Sequence, residues 1–305
     1  MMTVDLGPDD ARRLLLEGLV DYAGLFPPAA LSMPDAVARY GEYRASENAW
    51  ALGKFVLSVA RLGEFEAVLH TPGGDPWQLA LVAGPDFSAD VRVIEAFARR
   101  TAHRAIVRAI EVKATTIADI EVIATNAALL RVNIPGALDV YVEVPVAADP
   151  SPLIESIAAH GLRAKVRTGG VDAGAFPDAD QLARFVRACV AHDVIFKATA
   201  GLHHALRGNY PLTYDPASDR GTMFGFVNVF VAALFVREGL DEAAMRALLE
   251  ERDAANFAFN SSGVTWRGRT VSAAAIRSAR ADTAVSFGSC SFTEPVADLS
   301  SLGLL

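Results

Sequence analysis

The 305-residue chain contains only two cysteines, Cys189 and Cys290, and neither belongs to a CxxC pair. A disulfide-rich scaffold is therefore excluded. The chain also lacks a long hydrophobic run, since its longest, Met223–Val236, is interrupted by Asn228. That run is too short for a typical membrane span, so we expect no membrane association.

An excess of basic residues is also absent, because 28 Lys and Arg stand against 36 Asp and Glu, for a formal charge of -8. Without a general basic field to hold phosphates, neither nucleic acid nor an anionic membrane surface is an expected partner. The first residues, Met1–Arg13, lack the apolar core of a signal peptide. These absences together predict a cytoplasmic protein.

What the chain does have is hydrophobic residues, 52% of the total, which are enough to bury a large core. Short apolar runs, several rich in Val and Ile, alternate with longer amphipathic segments that predict helices. The runs that predict strands are Val20–Leu25, Phe55–Ala60, Leu79–Ala83, Ala105–Glu111, Leu138–Val144, Leu162–Thr168, Val194–Thr199 and Ala284–Ser289. Eight parallel strands with helical returns predict an α/β fold of the TIM-type (β/α)8 barrel class, with residues 1–305 in one domain.

An open, doubly wound sheet is the alternative fold. It is disfavoured because no glycine-rich fingerprint follows the first strand, where Pro27 and Pro28 remove amide donors.

Residues 202–283, between the seventh and eighth strands, are predicted to form a long insertion within the same domain. The run Thr222–Arg237 is longer than a typical strand and predicts a helix buried nearly all round, suited to the core or to a homo-oligomer interface. The segments Phe257–Asn260 and Val264–Trp266 predict a hairpin, and we expect its turn, together with Arg267, to be a candidate lid.

Charged residues recur at alternate positions on three consecutive strands. Strand alternation turns Glu143 inward on the fifth strand, Lys165 and Arg167 on the sixth, and Lys197 on the seventh. Neighbouring barrel strands lie roughly 4.8 Å apart, so these side chains should converge at the carboxyl-end mouth. An internal Glu143–Lys165 ion pair that only holds the core is the structural alternative.

Two uses of this cluster follow from its chemistry. Clustered cations beside turns of small residues predict a binding site for the phosphate or carboxylate group of a small anionic metabolite. The substrate-binding candidates are Arg167, Thr168, Gly169, Gly170, Thr199 and Gly201. Alternatively, one lysine attacks a carbonyl, and neighbouring cations must then depress the pKa of its amine.

A family resemblance supports the second use. Lys165-Val166-Arg167-Thr168-Gly169 resembles the sixth-strand K-x-x-T-G of deoxyribose-phosphate aldolases, and Lys197-Ala198-Thr199-Ala200-Gly201 is similar to their seventh-strand K-A-[ST]-x-G. The resemblance implies that Lys165 forms a Schiff base and that Lys197 lowers its pKa. No clear counterpart of the family's catalytic aspartate is found, and Glu143 or Glu111 is the substitute acid or base.

His203 and His204 follow the seventh strand in the loop above the same mouth. Adjacent side chains diverge, so a metal site is not predicted, and no cofactor is either. His203 is the candidate general acid or base and His204 a candidate anion donor, with solvated loop histidines as the alternative. Cys290 has no local histidine motif and is expected to be a packed thiol.

Three functions remain open. The leading one is a class I aldolase-like carbon–carbon lyase that uses Lys165. The second is an isomerase or phosphoribosyl-handling barrel in which the lysines clamp anions without covalent chemistry. The third is a metabolite-binding barrel without catalysis, which a structure with both lysines paired to carboxylates would favour.

Overall fold

The computed structural model describes residues 6–69 and 74–305. Residues 1–5 belong to the segment Met1–Arg13, on which the cytoplasmic prediction partly rests, and they lie outside the described residues. The strands in chain order are β1 Val20–Tyr22, β2 Leu52–Ser58, β3 Trp77–Val82, β4 Ala105–Lys113, β5 Asp139–Glu143, β6 Arg163–Arg167, β7 Phe196–Thr199, β8 Gly208–Pro211, β9 Arg220–Met223, β10 Phe257–Asn260, β11 Gly263–Trp266, β12 Arg269–Ser272 and β13 Ala284–Ser289. Strands β1 to β7 pair in sequence order, and β13 closes the barrel between β7 and β1. All eight pairings are parallel, which confirms the predicted TIM-type barrel.

Helices surround this barrel and also fill the connections between strands. They are α1 Ala11–Leu16, α2 Met33–Arg44, α3 Leu62–Val68, α4 Phe87–Thr101, α5 Ile117–Asn133, α6 Ser151–Ala159, α7 Ala179–Ala191, α8 Phe226–Arg237, α9 Glu242–Leu249, α10 Ala273–Asp282 and α11 Thr293–Ser301. Side-chain caps explain several starts: α5 has a capping box between Thr116 and Asp119. Among the described residues, no helix combines the length and the apolar character needed to cross a bilayer.

Strand alternation divides the core in two. Outward-facing side chains join the helices in one large hydrophobic cluster. Inside the barrel, a small apolar plug is formed by Val56, Ala80, Ala109 and Tyr141. Glu111 and Glu143 each follow a plug residue by two positions, so the polar layer lies on the carboxyl side of the plug.

The chain between β7 and β13 contains a hairpin of β8 and β9, then helices α8 and α9, a three-stranded sheet of β10 to β12, and α10. The predicted helix over Thr222–Arg237 starts later, at Phe226, because residues 220–223 form β9 and Gly225 packs against the Ala205 carbonyl. The helix is buried along most of its length, as predicted.

The candidate lid at the Asn260–Gly263 turn is not at the barrel mouth. This turn contacts α1, which precedes β1 in the chain, through an Ala11 N–H that donates to the Ser261 carbonyl at 3.3 Å. Arg267 pairs with Glu251 at 2.7 Å. The loop of the β8–β9 hairpin approaches the mouth instead, because the Tyr214 hydroxyl lies 3.3 Å from the Cys290 sulfur.

Candidate functional site

A cavity of about 500 Å³ opens at the carboxyl ends of the barrel strands. Its polar lining includes Glu111, Glu143, Lys165 and Arg167. Apolar side chains from the loop after β1 and from β2 and β3 complete one wall: Ala23, Phe26, Pro27, Val56 and Val82. A cavity with apolar walls and a few convergent charges is suited to a small polar ligand.

Register places the predicted charged residues side by side. Lys165 is the Cα partner of Glu143 on β5 and of Lys197 on β7. Both lysine side chains point into the barrel and are buried. The alternation argument is therefore correct for Glu143, Lys165 and Lys197, while Arg167 stands at the rim with 47% of its side chain exposed.

The ammonium groups of Lys165 and Lys197 are each in contact with carboxylates. Glu111 lies between them, with Oε2 2.7 Å from Lys165 Nζ and Oε1 2.6 Å from Lys197 Nζ. Lys197 also donates to Asp21 Oδ2 at 2.7 Å, and Lys165 Nζ lies 2.8 Å from Glu143 Oε2. Positive and negative groups thus alternate through the barrel interior. We call Asp21, Glu111, Glu143, Lys165 and Lys197 the buried ionic cluster.

The protonation states of the buried ionic cluster follow from the alternation of positive and negative groups. Burial would raise the pKa of Asp21 and Glu111, but the neighbouring ammonium groups outweigh it and lower each pKa to about 2. Burial would lower the pKa of Lys197, but Asp21 and Glu111 outweigh it and raise that pKa far above its ordinary value. Lys197 does not line the cavity. The Glu111 carboxylate lies between the two ammonium groups, so they are not the directly adjacent cations that the resemblance implies.

Sequence reasoning missed Asp21, although a signal was present. The chain has only four lysines, Lys54, Lys113, Lys165 and Lys197. Each has its Nζ within 4 Å of a carboxylate of the buried ionic cluster, since Lys54 approaches Asp21 at 3.8 Å and Lys113 approaches Glu143 at 3.9 Å. Arginine supplies the remaining positive charges of the chain, so lysine is used only at this site.

Glu143 connects the cluster to the cavity mouth. Its Oε1 lies between Arg167 Nε at 3.4 Å and Lys113 Nζ at 3.9 Å. Its Oε2 has no hydrogen-bond partner among the described residues, because the contact with Lys165 is an ion pair without hydrogen-bond geometry. Neighbouring cations outweigh burial and lower the pKa of Glu143. A ligand in the cavity would meet two partly exposed cations and the carboxylate that both of them contact.

The predicted turn residues divide into two groups. Gly169, Gly170 and Thr199 line the cavity as expected. Thr168 does not line it, because its buried hydroxyl donates to the Ala200 carbonyl and ties the two strand-end loops together. Gly201 does not line it either: it has φ +72° and packs so closely on Gly169 that an added Cβ would lie 2.8 Å from the Gly169 Cα.

His203 and His204 lie in different environments. His203 lines the cavity, with Nδ1 3.7 Å from Cys290 Sγ and 3.6 Å from Glu294 Oε2. His204 points away, because its ring stacks on Tyr210 and its Nδ1 lies 3.1 Å from Asp298 Oδ2. His204 is therefore not among the residues that line the cavity, where the sequence predicted it. Cys290 is buried, as expected of a packed thiol, and it also lines the cavity beside His203.

Fold and site together define a TIM-type barrel with a buried lysine–carboxylate cluster under an open mouth. Within residues 6–69 and 74–305, no three His, Cys, Asp or Glu side chains are grouped to hold a metal ion. Comparison with protein-family models and with curated proteins found no match for this sequence.

Proposed function

We propose that this chain is an enzyme that binds a small anionic carbonyl compound at the barrel mouth and makes or breaks a carbon–carbon bond through a Schiff base on Lys165. The observation that carries the proposal is the position of Lys165, which lines the cavity and whose amine has a carboxylate on either side, at 2.7 and 2.8 Å. Amine and acid–base groups are thus in contact before any substrate arrives.

The chemistry uses these groups in order. A carboxylate takes a proton from the Lys165 ammonium, and the neutral amine adds to the carbonyl carbon. A proton moves from the nitrogen of the adduct to its alkoxide oxygen, the protonated carboxyl gives its proton to the resulting hydroxyl, water leaves, and an iminium forms. A carboxylate then takes the proton of the β-hydroxyl as the bond between the α and β carbons breaks. The electron pair of that bond moves into the iminium, which becomes an enamine, and the β carbon leaves as an aldehyde. Glu143 is suited to the proton transfers because it lines the cavity and its Oε2 lies 2.8 Å from Lys165 Nζ.

Arg167 and Lys113 supply the anion preference. Both stand at the mouth, partly exposed, and share one carboxylate oxygen of Glu143. Two cations for one carboxylate leave an excess positive charge, which a substrate carboxylate or phosphate can neutralise. Gly169 and Gly170 also line the cavity, and close packing against Phe176 and Ala175 fixes the position of their backbone.

Borohydride trapping tests the Schiff base. The protein is incubated with glyoxylate or acetaldehyde, reduced, and cleaved before aspartate, which places the four lysines in separate peptides. We expect the adduct on the peptide 149–171, which holds Lys165. Lys113, 73% exposed, is the control for non-specific labelling. Labelling of Lys113 alone, or equal labelling of all four lysines, would contradict the proposal.

The ion pairing favours a second candidate. Both inward lysines are in contact with carboxylates, as expected for a metabolite-binding barrel without catalysis and compatible with a non-covalent isomerase. An isomerase of this kind would keep its activity in Lys165→Arg, whereas a lyase would lose it. A metabolite-binding barrel would show ligand binding with no turnover.

A further inference from the structure

The cavity contains a second reactive group besides Lys165. Cys290 follows β13 directly and presents its thiol to the same cavity, on the side away from β4 and β5. The other cysteine, Cys189, lies in α7 inside the hydrophobic core, where burial raises the pKa of its thiol well above the ordinary value. The two thiols of the chain are therefore in contrasting environments, and only Cys290 is placed to meet a ligand.

Three separate segments surround the Cys290 thiol. His203, from the loop after β7, has Nδ1 3.7 Å from the sulfur, and Tyr214, from the β8–β9 loop, has its hydroxyl 3.3 Å away. Glu294, from α11, accepts from the Tyr214 hydroxyl at 3.0 Å and lies 3.6 Å from His203 Nδ1. The imidazole thus has a sulfur and a carboxylate within reach of the same nitrogen.

This arrangement favours the protonated form of the imidazole, so His203 can take a proton from the thiol. Burial would lower the pKa of His203, but the contacts with Cys290 and Glu294 outweigh it and raise that pKa to about 9. A thiol beside an imidazole that can hold and return a proton is the usual pairing for a nucleophilic cysteine.

We propose that Cys290 is a second nucleophile of the cavity, which takes a small aldehyde as a thiohemiacetal with His203 as the proton carrier. The thiol gives its proton to His203 Nδ1, the sulfur forms a bond to the aldehyde carbon as the carbonyl π bond breaks, and Nδ1 returns that proton to the carbonyl oxygen. The net change is addition of the thiol S–H across the C=O bond, which needs no oxidant or other reactant. This proposal does not depend on the Schiff base at Lys165.

Carbon-13 NMR with 1-13C-labelled acetaldehyde tests the adduct. We expect a protein-bound thiohemiacetal resonance, distinct from free aldehyde and its hydrate, in the wild type and its absence in Cys290→Ser. A bound resonance that persists in Cys290→Ser would overturn the proposal, as would a wild type that shows none.

Alkylation rates test the role of His203. Iodoacetamide labelling is followed by mass spectrometry after cleavage before aspartate, which separates Cys189 (peptide 180–192) from Cys290 (peptide 282–297). We expect Cys290 to react faster than Cys189 and His203→Asn to slow it by at least about tenfold. His204→Asn is the matched control and should leave the rate within about twofold, because that ring faces Asp298. An unchanged Cys290 rate in folded His203→Asn would contradict the pairing.

The readouts separate the two proposals. A wild type with a borohydride-trapped adduct on peptide 149–171 and no thiohemiacetal would overturn only the role of Cys290. The reverse result would overturn only the Schiff base.

Discussion

Lys165 and Lys197 are Cα partners in adjacent parallel strands, yet their ammonium groups are joined by a carboxylate from a third strand. Glu111 reaches both lysines from β4, across the barrel interior. Because these side chains are buried, each charge depends on its neighbours for compensation. The buried ionic cluster therefore behaves as one electrostatic unit, and removal of any member leaves the others uncompensated.

Replacement of the bridging carboxylate should destabilise the whole fold. Glu111→Gln removes one negative charge between two buried ammonium groups, and we expect a loss of about 3–5 kcal/mol in the free energy of unfolding. Urea denaturation followed by circular dichroism measures it. Glu64→Gln, which breaks an exposed pair with Arg61, is the control and should leave the midpoint unchanged. A loss below about 1 kcal/mol in Glu111→Gln would show that the cluster is not a unit.

The cluster also predicts acid sensitivity. The pKa values of Asp21 and Glu111 fall from 3.8 and 4.5 to about 2 in the folded protein, so the unfolded chain binds more protons as the pH falls below about 5. Their stabilisation is complete above that pH and is lost progressively toward pH 2. Urea unfolding at several pH values should show the decline. Asp21→Asn should show a shallower decline, by up to about 1.4 kcal/mol per pH unit, and an equal slope in both proteins would contradict the assignment.

How far the sequence predicts the site depends on periodicity. Alternation along β5, β6 and β7 correctly placed Glu143, Lys165 and Lys197, because a strand has only two faces. The same argument does not apply beyond the last strand residue, which is why Thr168 and His204, both expected at the ligand, contact other parts of the protein and do not line the cavity. Loop side chains take their direction from tertiary partners that are distant in sequence.

Two other features show the same limit. The contact between Tyr214 and Cys290 joins residues 76 positions apart, and no local pattern marks it. Asp21 is a lone acid in a three-residue strand, too short for alternation to be visible. The barrel itself was predictable, because its apolar runs and helical returns repeat at a regular spacing and each repeat supports the others.

The rim cation should select for charged substrates. Arg167→Ala should reduce the rate of borohydride-trapped adduct formation with glyoxylate, an anionic aldehyde, by about tenfold, which corresponds to one charge-assisted hydrogen bond. The rate with neutral acetaldehyde should change by less than about twofold. Arg163→Ala, on the same strand but paired with Asp139, is the control. Equal losses with both aldehydes in Arg167→Ala would indicate that Arg167 supports structure rather than an anion.

The close packing of the two strand-end loops gives a last prediction. A Cβ on Gly169 would lie 2.3 Å from the Phe176 ring and 2.9 Å from the Gly201 Cα, so Gly169→Ala must push the two loops apart. We expect a loss of about 1–3 kcal/mol, from overpacking. Gly174→Ala is the matched control in the same connection, because nothing lies within 4 Å of its added Cβ. Differential scanning calorimetry should show a lower Tm for Gly169→Ala than for Gly174→Ala. Similar Tm values would mean that the two loops move apart without a loss of stability. The mouth would then be more deformable than its packing indicates.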